Sequence, residues 1–303
     1  MKALGYHFIR LLPFVILSLQ LCTVDCLSNP KIGVIGGGAS GMFSASAAGA
    51  SLKENNIIAE VHVLESSPRL MSKVEISGGG RCNVLHDTAK PVSVILNGYP
   101  RGKKELNGLF NKHFSPKDAR KWFEDRGVEL KTETDGRMFP VTDSSQTIMD
   151  CILSSAKKNQ VQINTRQKVL SVKSCSNGDG EQAGFIISFQ NESKEEIEEH
   201  FDCVIFATGS NPGGYKLASS LGHKLTPPVP SLFTFNAKNQ HKEGQVFYNL
   251  AGLSVQLATI TLKIKVEGKK KKKIIQQDGP LLITRKLMAK RAEARHHLTL
   301  ISY

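Results

Sequence analysis

The segment that most constrains the fold runs from Lys31 to Gly41. Lys31-Ile-Gly-Val-Ile35 is a short apolar run that reads as a buried strand. It passes without a spacer into Gly36-Gly37-Gly38-Ala39-Ser40-Gly41, and a helix of small residues follows from Met42 to Leu52, carrying Ala45, Ala47, Ala48 and Ala50. Strand, tight turn and helix in that order give G-x-G-x-x-G its meaning. Gly36 permits the turn, Gly38 lets a pyrophosphate approach the backbone, and Gly41 lets the helix pack close to the strand. The helix start offers free N–H groups and a positive dipole end to phosphate charge. The next strand, Glu60-Val-His-Val-Leu64, ends in Glu65, 24 residues after Gly41. A carboxylate there can accept both ribose hydroxyls of an adenosine. The pattern predicts an α/β chain with a Rossmann-like dinucleotide site; a glycine-rich structural turn is the bland alternative.

The 303 residues leave room for one large or two ordinary domains, at roughly 150 residues each. With 40% hydrophobic and 22% charged residues the composition is globular rather than disordered. The net charge of +13 would suggest nucleic acid or an anionic surface. It is concentrated, however, between Lys263 and Arg295, where twelve basic residues face three acidic ones, a net +9 that leaves +4 on the rest. Lys269–Lys273 lies between two strand-like runs, Ile260–Val266 and Pro280–Thr284, and reads as a solvated hairpin loop, with an anionic-surface patch as the alternative. No aromatic residues interleave with it, so nucleic acid is not the expected partner.

The N-terminus carries Lys2 and Arg10 and then an apolar run from Leu11 to Cys22. A basic start before a short apolar core is the pattern of a secretory signal, with a plastid or mitochondrial transit peptide as the rival. The run is too short to span a bilayer, which takes about 20 residues. The mature chain is therefore expected to have no transmembrane segment. Cys82, Cys151, Cys175 and Cys203 share no metal-like spacing and read as core thiols, and no metal site is expected. Cys82 follows Arg81, a neighbour that could lower its pKa. Trp122, within Asp118–Arg126, reads as the packing anchor of a helix.

Phe201-Asp-Cys-Val-Ile-Phe-Ala-Thr-Gly209 reads as an apolar strand closing on Ala207-Thr208-Gly209. Before it lies a β-meander, with strands at Val169–Lys173 and Phe185–Phe189 around an Asn177-Gly-Asp-Gly180 turn. A Rossmann half followed by a meander and a strand ending in A-T-G resembles flavoproteins with two dinucleotide-binding domains. That resemblance favours FAD over NAD as the ligand of the first site.

Glu75-Ile-Ser77-Gly78-Gly79-Gly80-Arg81-Cys82-Asn83 is the most unusual string in the chain. Three consecutive glycines let a ligand come close to the backbone, and a flexible loop with a solvated arginine is the plain alternative. The string is similar to the I-S-G-G-G-R-C-N signature of the YhiN/BaiN-type flavoproteins, a family of NAD(P)/FAD-dependent oxidoreductases. Gly136-Arg-Met-Phe-Pro140 matches that family's G-R-x-F-P. Thr208-Gly-Ser210, Gly214-Tyr-Lys-Leu-Ala218, Leu221-Gly-His223, Pro230-Ser-Leu232 and Leu250-Ala-Gly-Leu-Ser254 match further motifs in order, in a form that resembles plant and cyanobacterial members.

The resemblance spans Lys31 to Thr284. It implies a Rossmann-like FAD-binding domain with a β-meander over residues 29–209, after a leader of 1–28. An incomplete inserted β-rich second domain over 210–284 and a divergent basic tail over 285–303 would follow. By the same resemblance, Gly36, Gly37, Gly38, Ala39, Ser40, Gly41 and Glu65 hold the adenosine diphosphate half. Ser77, Gly78, Gly79, Gly80, Arg81, Cys82 and Asn83 line the flavin side, Ala207, Thr208 and Gly209 close on it, and Val169 touches adenine through its backbone. NAD(P)H as electron donor is implied by the family alone, for no second G-x-G-x-x-G exists. Neither the substrate nor a catalytic acid or base can be named from the residues.

After Thr284 the family pattern would continue with T-H-x-G-x-S-G-P, whereas this chain runs from Arg285 through His296-His297 to Tyr303 without resemblance. The expectation is a truncated, divergent C-terminus. Three functions follow: an FAD-dependent oxidoreductase acting on a small organic substrate, an inactive FAD-binding isoform, or a basic binder of anionic surfaces or nucleic acid.

Overall fold

The computed structural model describes residues 29–99, 102–176, 182–228, 254–265, 272–282 and 297–301. The expected leader, the Asn177–Gly180 turn, Pro230-Ser-Leu232, Lys269–Lys271 and His296 lie outside the described residues. The chain divides into two units, Met1–Leu225 and Thr226–Tyr303.

In the first unit β1 (Lys31–Ile35) turns into α1 (Ala39–Glu54), and β2 (Glu60–Leu64) follows. The helix begins three residues earlier than the small-residue run suggested, because extended Gly38 already serves as its N-cap. Next come α2 (Ser72–Glu75), a 3-10 turn at Ser77–Gly80, β3 (Leu85–His86), α3 (Val92–Ile95), α4 (Lys103–Lys112) and α5 (Pro116–Glu124). A capping box starts α5. Ser115 accepts from the Asp118 N–H and its own N–H donates to the Asp118 carboxylate, with Pro116 in the first turn. Trp122 of α5 lies 4.7 Å from the Phe43 ring of α1, the packing contact expected of it. The unit continues through β4 (Leu130–Thr132), β5 (Arg137–Pro140), α6 (Ser145–Lys158) and β6 (Gln162–Asn164). It ends with β7 (Lys168–Ser176), β8 (Gln182–Gln190), β9 (Glu196–Phe201), β10 (Cys203–Phe206) and α7 (Pro212–Ser220).

The central sheet is parallel, in the order β10-β1-β2-β6. Side chains alternate across it, so each strand feeds two cores. Val34, Val61 and Val63 join Met42, Ala45 and Ala48 of α1 and Ile148, Ile152 and Ala156 of α6. Ile35 and Leu64 point the other way, into Val172, Ile187, Phe189 and Phe201 of the meander. Gly33 has no side chain because the Phe201 ring occupies that space; a Cβ there would lie 3.0 Å from it. The meander β7-β8-β9 therefore covers one face of the sheet as α1 and α6 cover the other. A third, small antiparallel sheet, β3-β5-β4, carries the G-R-x-F-P segment.

One reading needs correction. Phe201 to Phe206 is not one strand. Phe201 ends β9 and is fully buried beneath the parallel sheet, and the chain turns at Asp202, whose carboxylate accepts the Lys31 N–H at 2.6 Å. β10 then starts afresh beside β1. An apolar run hid the boundary, because buried Phe201 leads straight into the half-buried Cys203–Phe206 and only the single carboxylate marks the switch.

The second unit contains β11 (Ser254–Lys265), β12 (Lys272–Leu282) and β13 (His297–Ile301), an antiparallel sheet in the order β12-β11-β13. Lys272 and Lys273 belong to β12, opposite Lys265 and Ile264, so the expected loop is shorter than the lysine run. Residues 297–301 pair with β11. Among the described residues no helix is long and apolar enough to cross a membrane.

Candidate functional site

The three glycines of the fingerprint are required for three different reasons. Gly36 sits at φ +108°, and a Cβ there would lie 2.6 Å from the Ala207 carbonyl oxygen. A Cβ on Gly41 would fall 1.8 Å from the Gly36 carbonyl oxygen, so the helix can approach the strand only with hydrogen at this position. Gly38 has extended backbone that any residue adopts, at φ −76° and ψ −173°, and a Cβ there would meet nothing within 4 Å. Its value is the open space itself. Gly38 can supply no side-chain cap, the first turn of α1 holds no acid, and Ala39 and Ser40 are exposed. The first N–H groups of a helix have no intrahelical partner. Here they face an opening and are suited to an anion.

Gly37 and Glu65 lock together. The Gly37 N–H donates to Glu65 Oε2 at 2.6 Å, and the Ser67 N–H donates to Oε1 at 2.7 Å. The Ser66 hydroxyl adds a bond at 3.2 Å. A carboxylate offers about four acceptor positions, so Glu65 is oriented by its own backbone with capacity remaining for a ribose hydroxyl. The sequence led us to expect a ligand role for Glu65 and gave no sign of this brace. Glu65→Ala is expected to weaken FAD binding roughly tenfold or more, read by quenching of flavin fluorescence; unchanged affinity would reduce Glu65 to a structural brace. Val169 stands nearby in β7. The Gln167 N–H donates to the Glu65 carbonyl at 2.8 Å, which seats the start of this strand beside the Glu65 backbone. The ladder with β8 shifts between Val169 and Ser171, an irregularity in the stretch expected to meet adenine.

The glycine string forms a left-handed turn. Gly78, Gly79 and Gly80 take φ of +56°, +71° and +87°, and Cys82 takes +60°. The Cys82 N–H closes onto the Ser77 carbonyl at 3.0 Å, while the Ser77 hydroxyl donates to the Val74 carbonyl at 2.8 Å. Asn83 is exposed. Ile76, just before the turn, leaves 73% of its surface open. Burial pushes the Cys82 thiol up, not down, so the suggestion of an activated thiolate is withdrawn. The side chain lies in the core at 5% exposure, and its arginine neighbour turns elsewhere. Arg81 donates to Glu133 Oε1 at 2.7 Å and to Asp143 Oδ1 at 3.3 Å, with its guanidinium 4.0 Å above the Phe139 ring.

Strand β10 completes the site. The Ala207 N–H donates to the Ile35 carbonyl at 2.9 Å, so the A-T-G segment runs directly beside the fingerprint turn. Gly209, at φ +59°, also faces open space. Thr208 packs against α7, where a Cβ on Gly214 would lie 1.7 Å from its hydroxyl oxygen. Asn211 caps that helix through the Gly213 N–H. Lys73 of α2 reaches the Ser210 hydroxyl at 3.0 Å, tying the segment before the glycine turn to the end of β10. The Met71 N–H donates to the Gly37 carbonyl at 2.9 Å. The fingerprint turn, the segment from Met71 and the A-T-G corner thus converge. Lys73, Glu133, Phe139 and Gly214 were not singled out as site residues, although Phe139 and Gly214 lay inside motifs already noticed. Among the described residues no cluster of His, Cys, Asp and Glu could hold a metal ion.

The HI0933-like protein Rossmann domain matches residues 30–284, most of the chain. The chain belongs to this family. These are the flavoproteins that the glycine string resembled, and the α/β Rossmann-like core is the fold expected of an HI0933-like chain. A 3-dehydro-bile acid delta(4,6)-reductase from Clostridium scindens is 28% identical over 211 residues, which is 69% of this chain and 48% of the relative. A ribosomal RNA dihydrouridine synthase from Escherichia coli is 27% identical over 231 residues, 73% of this chain and 51% of the relative. This HI0933-like chain therefore spans about half the length of the curated relatives it matches. Among solved structures, Thermovibrio ammonificans THI4 is similar at 14% identity and a TM-score of 0.42, over 65% of this chain and 64% of that one.

Proposed function

We propose that this chain binds FAD across the three converging segments and belongs to an FAD-dependent oxidoreductase that takes electrons from NAD(P)H and acts on a small organic substrate. The observation that carries the reading is the uncapped start of α1, with open space at Gly38 and the braced Glu65 beside it. FAD, when bound, supplies two-electron redox chemistry at its isoalloxazine ring. The residues supply the rest. The first-turn N–H groups of Ala39, Ser40 and Gly41 hold the pyrophosphate, with the helix dipole aimed at its charge. Glu65 accepts from the adenosine ribose, and the Val169 backbone meets adenine. Residues 77–83, with Thr208 and Gly209, orient the ring and exclude water from it. The exposed Ile76 adds apolar surface beside the turn. Two relatives support a reductive role, since one is a delta(4,6)-reductase and the other a dihydrouridine synthase.

The test is the visible spectrum of the purified chain with FAD, before and after anaerobic addition of NADPH. Flavin bands that bleach are the expected result. Bands that persist would leave a flavin-binding chain with another donor or none. A colourless protein that takes up no FAD would overturn the reading.

A further inference from the structure

The two motifs most specific to the family, I-S-G-G-G-R-C-N and G-R-x-F-P, touch through Arg81. We propose that Arg81 is a positioning residue: with Glu133 as its counterpart it clamps the left-handed turn at residues 77–83 in the form that meets the flavin ring, and its guanidinium does not itself bind the cofactor. This rests on the FAD reading above.

The turn closes on itself through the Cys82 N–H and the Ser77 carbonyl, and its glycines leave that closed form no stiffness of their own. Gly78, Gly79 and Gly80 are left-handed, and so is Cys82, which carries a side chain. Met71 and Asp143, at φ +51° and +53°, add two more non-glycine residues in the same region of backbone space, one before the turn and one bonded to Arg81. Such conformations are costly for a residue with a side chain and persist where surrounding structure over-determines them. The Ser145 hydroxyl holds the Glu75 carbonyl before the turn and the Met138 carbonyl holds the Val84 N–H after it, and between them Arg81 ties the turn to its surroundings. Its planar face lies on Phe139, which is fully buried, and the same ring supports Gly78, whose Cβ would lie 2.9 Å from Phe139 Cε1. Its Nη1 holds Glu133 and Asp143. Those two acids are fixed in turn: Arg137 reaches Glu133 at 3.4 Å, and Lys131 bonds Asp143. Lying flat on a ring while donating within its own plane is what a guanidinium does and an ammonium does not.

The same contacts argue against a direct ligand role. A cation awaiting a diphosphate would stand free. Arg81 stands between two carboxylates, and an incoming phosphate would meet their charge as well as its own. The acids offset its attraction for an anion while fixing its position.

The experiment compares Arg81→Met, Arg81→Lys, Glu133→Ala and the Arg81→Met/Glu133→Ala double variant with the unaltered chain. It uses FAD titration, the visible circular dichroism of bound FAD at saturation, and thermal melts of the FAD-free protein as the folding control. Arg81→Met and Glu133→Ala are each expected to weaken FAD roughly tenfold and to change the visible dichroism in the same way, with the double variant little worse than either, because one clamp is lost in each case. Arg81→Lys should recover only part of the affinity. If Arg81→Met does not fold, Glu133→Ala carries the comparison, since it leaves the guanidinium stacked and bonded to Asp143. Unchanged affinity and dichroism in Glu133→Ala would overturn the proposal while leaving the FAD reading intact. Severe loss in Arg81→Met with a normal Glu133→Ala would also overturn it, by making Arg81 a direct ligand. An unaltered chain that takes up no FAD would remove the FAD reading and the proposal together.

Discussion

A Gly38→Glu variant is expected to fold normally and to purify without flavin. The backbone at this position is extended, so a side chain adds no strain, and a Cβ meets nothing within 4 Å. Everything the new side chain disturbs lies in the space left for the ligand. The carboxylate would enter at the start of α1, where it would cap the N–H groups itself and repel a pyrophosphate. The expected loss is at least roughly a hundredfold in FAD affinity, close to 3 kcal/mol, with a melting temperature equal to or slightly above that of the unaltered FAD-free chain. FAD titration beside a thermal melt checks both halves. A variant that kept its flavin would sink the assignment of this turn to the pyrophosphate.

Gly41→Val should do the opposite. It places no atom in the ligand space, yet its Cβ would sit 1.8 Å from the Gly36 carbonyl oxygen and 3.2 Å from the Ala207 Cβ. A backbone carbonyl at the end of a central strand cannot step aside, so α1 must lift from β1. Overpacking of this kind costs about 3 kcal/mol or more, which for a unit of this size lowers the melting temperature by roughly 10 °C. Flavin is lost as a consequence of the fold. Differential scanning fluorimetry without FAD separates the cases: a Gly41→Val protein melting within a degree or two of the unaltered chain would show that helix and strand do not approach so closely. Two glycines three residues apart would thus report separately on ligand and on architecture.

The Rossmann half was legible because each of its signals is local. The run from Lys31 to Ile35, the glycine spacing and the acid after Leu64 sit within 35 residues, and hydrophobic period and turn chemistry agree along them. The meander was legible in its first two strands and lost in its third. Glu196-Ile-Glu-Glu-His200 exposes most of its side chains and so lacks the apolar alternation that marks a half-buried strand, while Phe201, its one fully buried residue, read as part of the next run. In the site, backbone conformations were accessible and side-chain pairings were not. Left-handed glycines announce themselves by composition. That Arg81 spends its charge on Glu133, 52 residues away, is a fact of tertiary pairing, and nothing in the local string distinguishes it from an arginine that awaits a phosphate. The Cys82 thiol fails for the same reason, since burial decides its pKa and burial is not local.

The placement of β10 beside β1 also has a consequence for the order in which the protein comes into being. The Lys31 N–H finds its acceptor on Asp202, 171 positions later, and Ala207, the wall against which Gly36 turns, arrives later still. A growing polypeptide that has emerged only through β6 carries the whole glycine fingerprint but presents β1 as an unpaired edge, with the turn open on one side. The nucleotide cradle is thus begun with the earliest strand and closed by nearly the last residues of its unit. Contacts of such sequence separation form slowly. During that interval the apolar strand is open to mispairing, and a ligand that fits only the closed turn can capture the chain only at the final step of its folding.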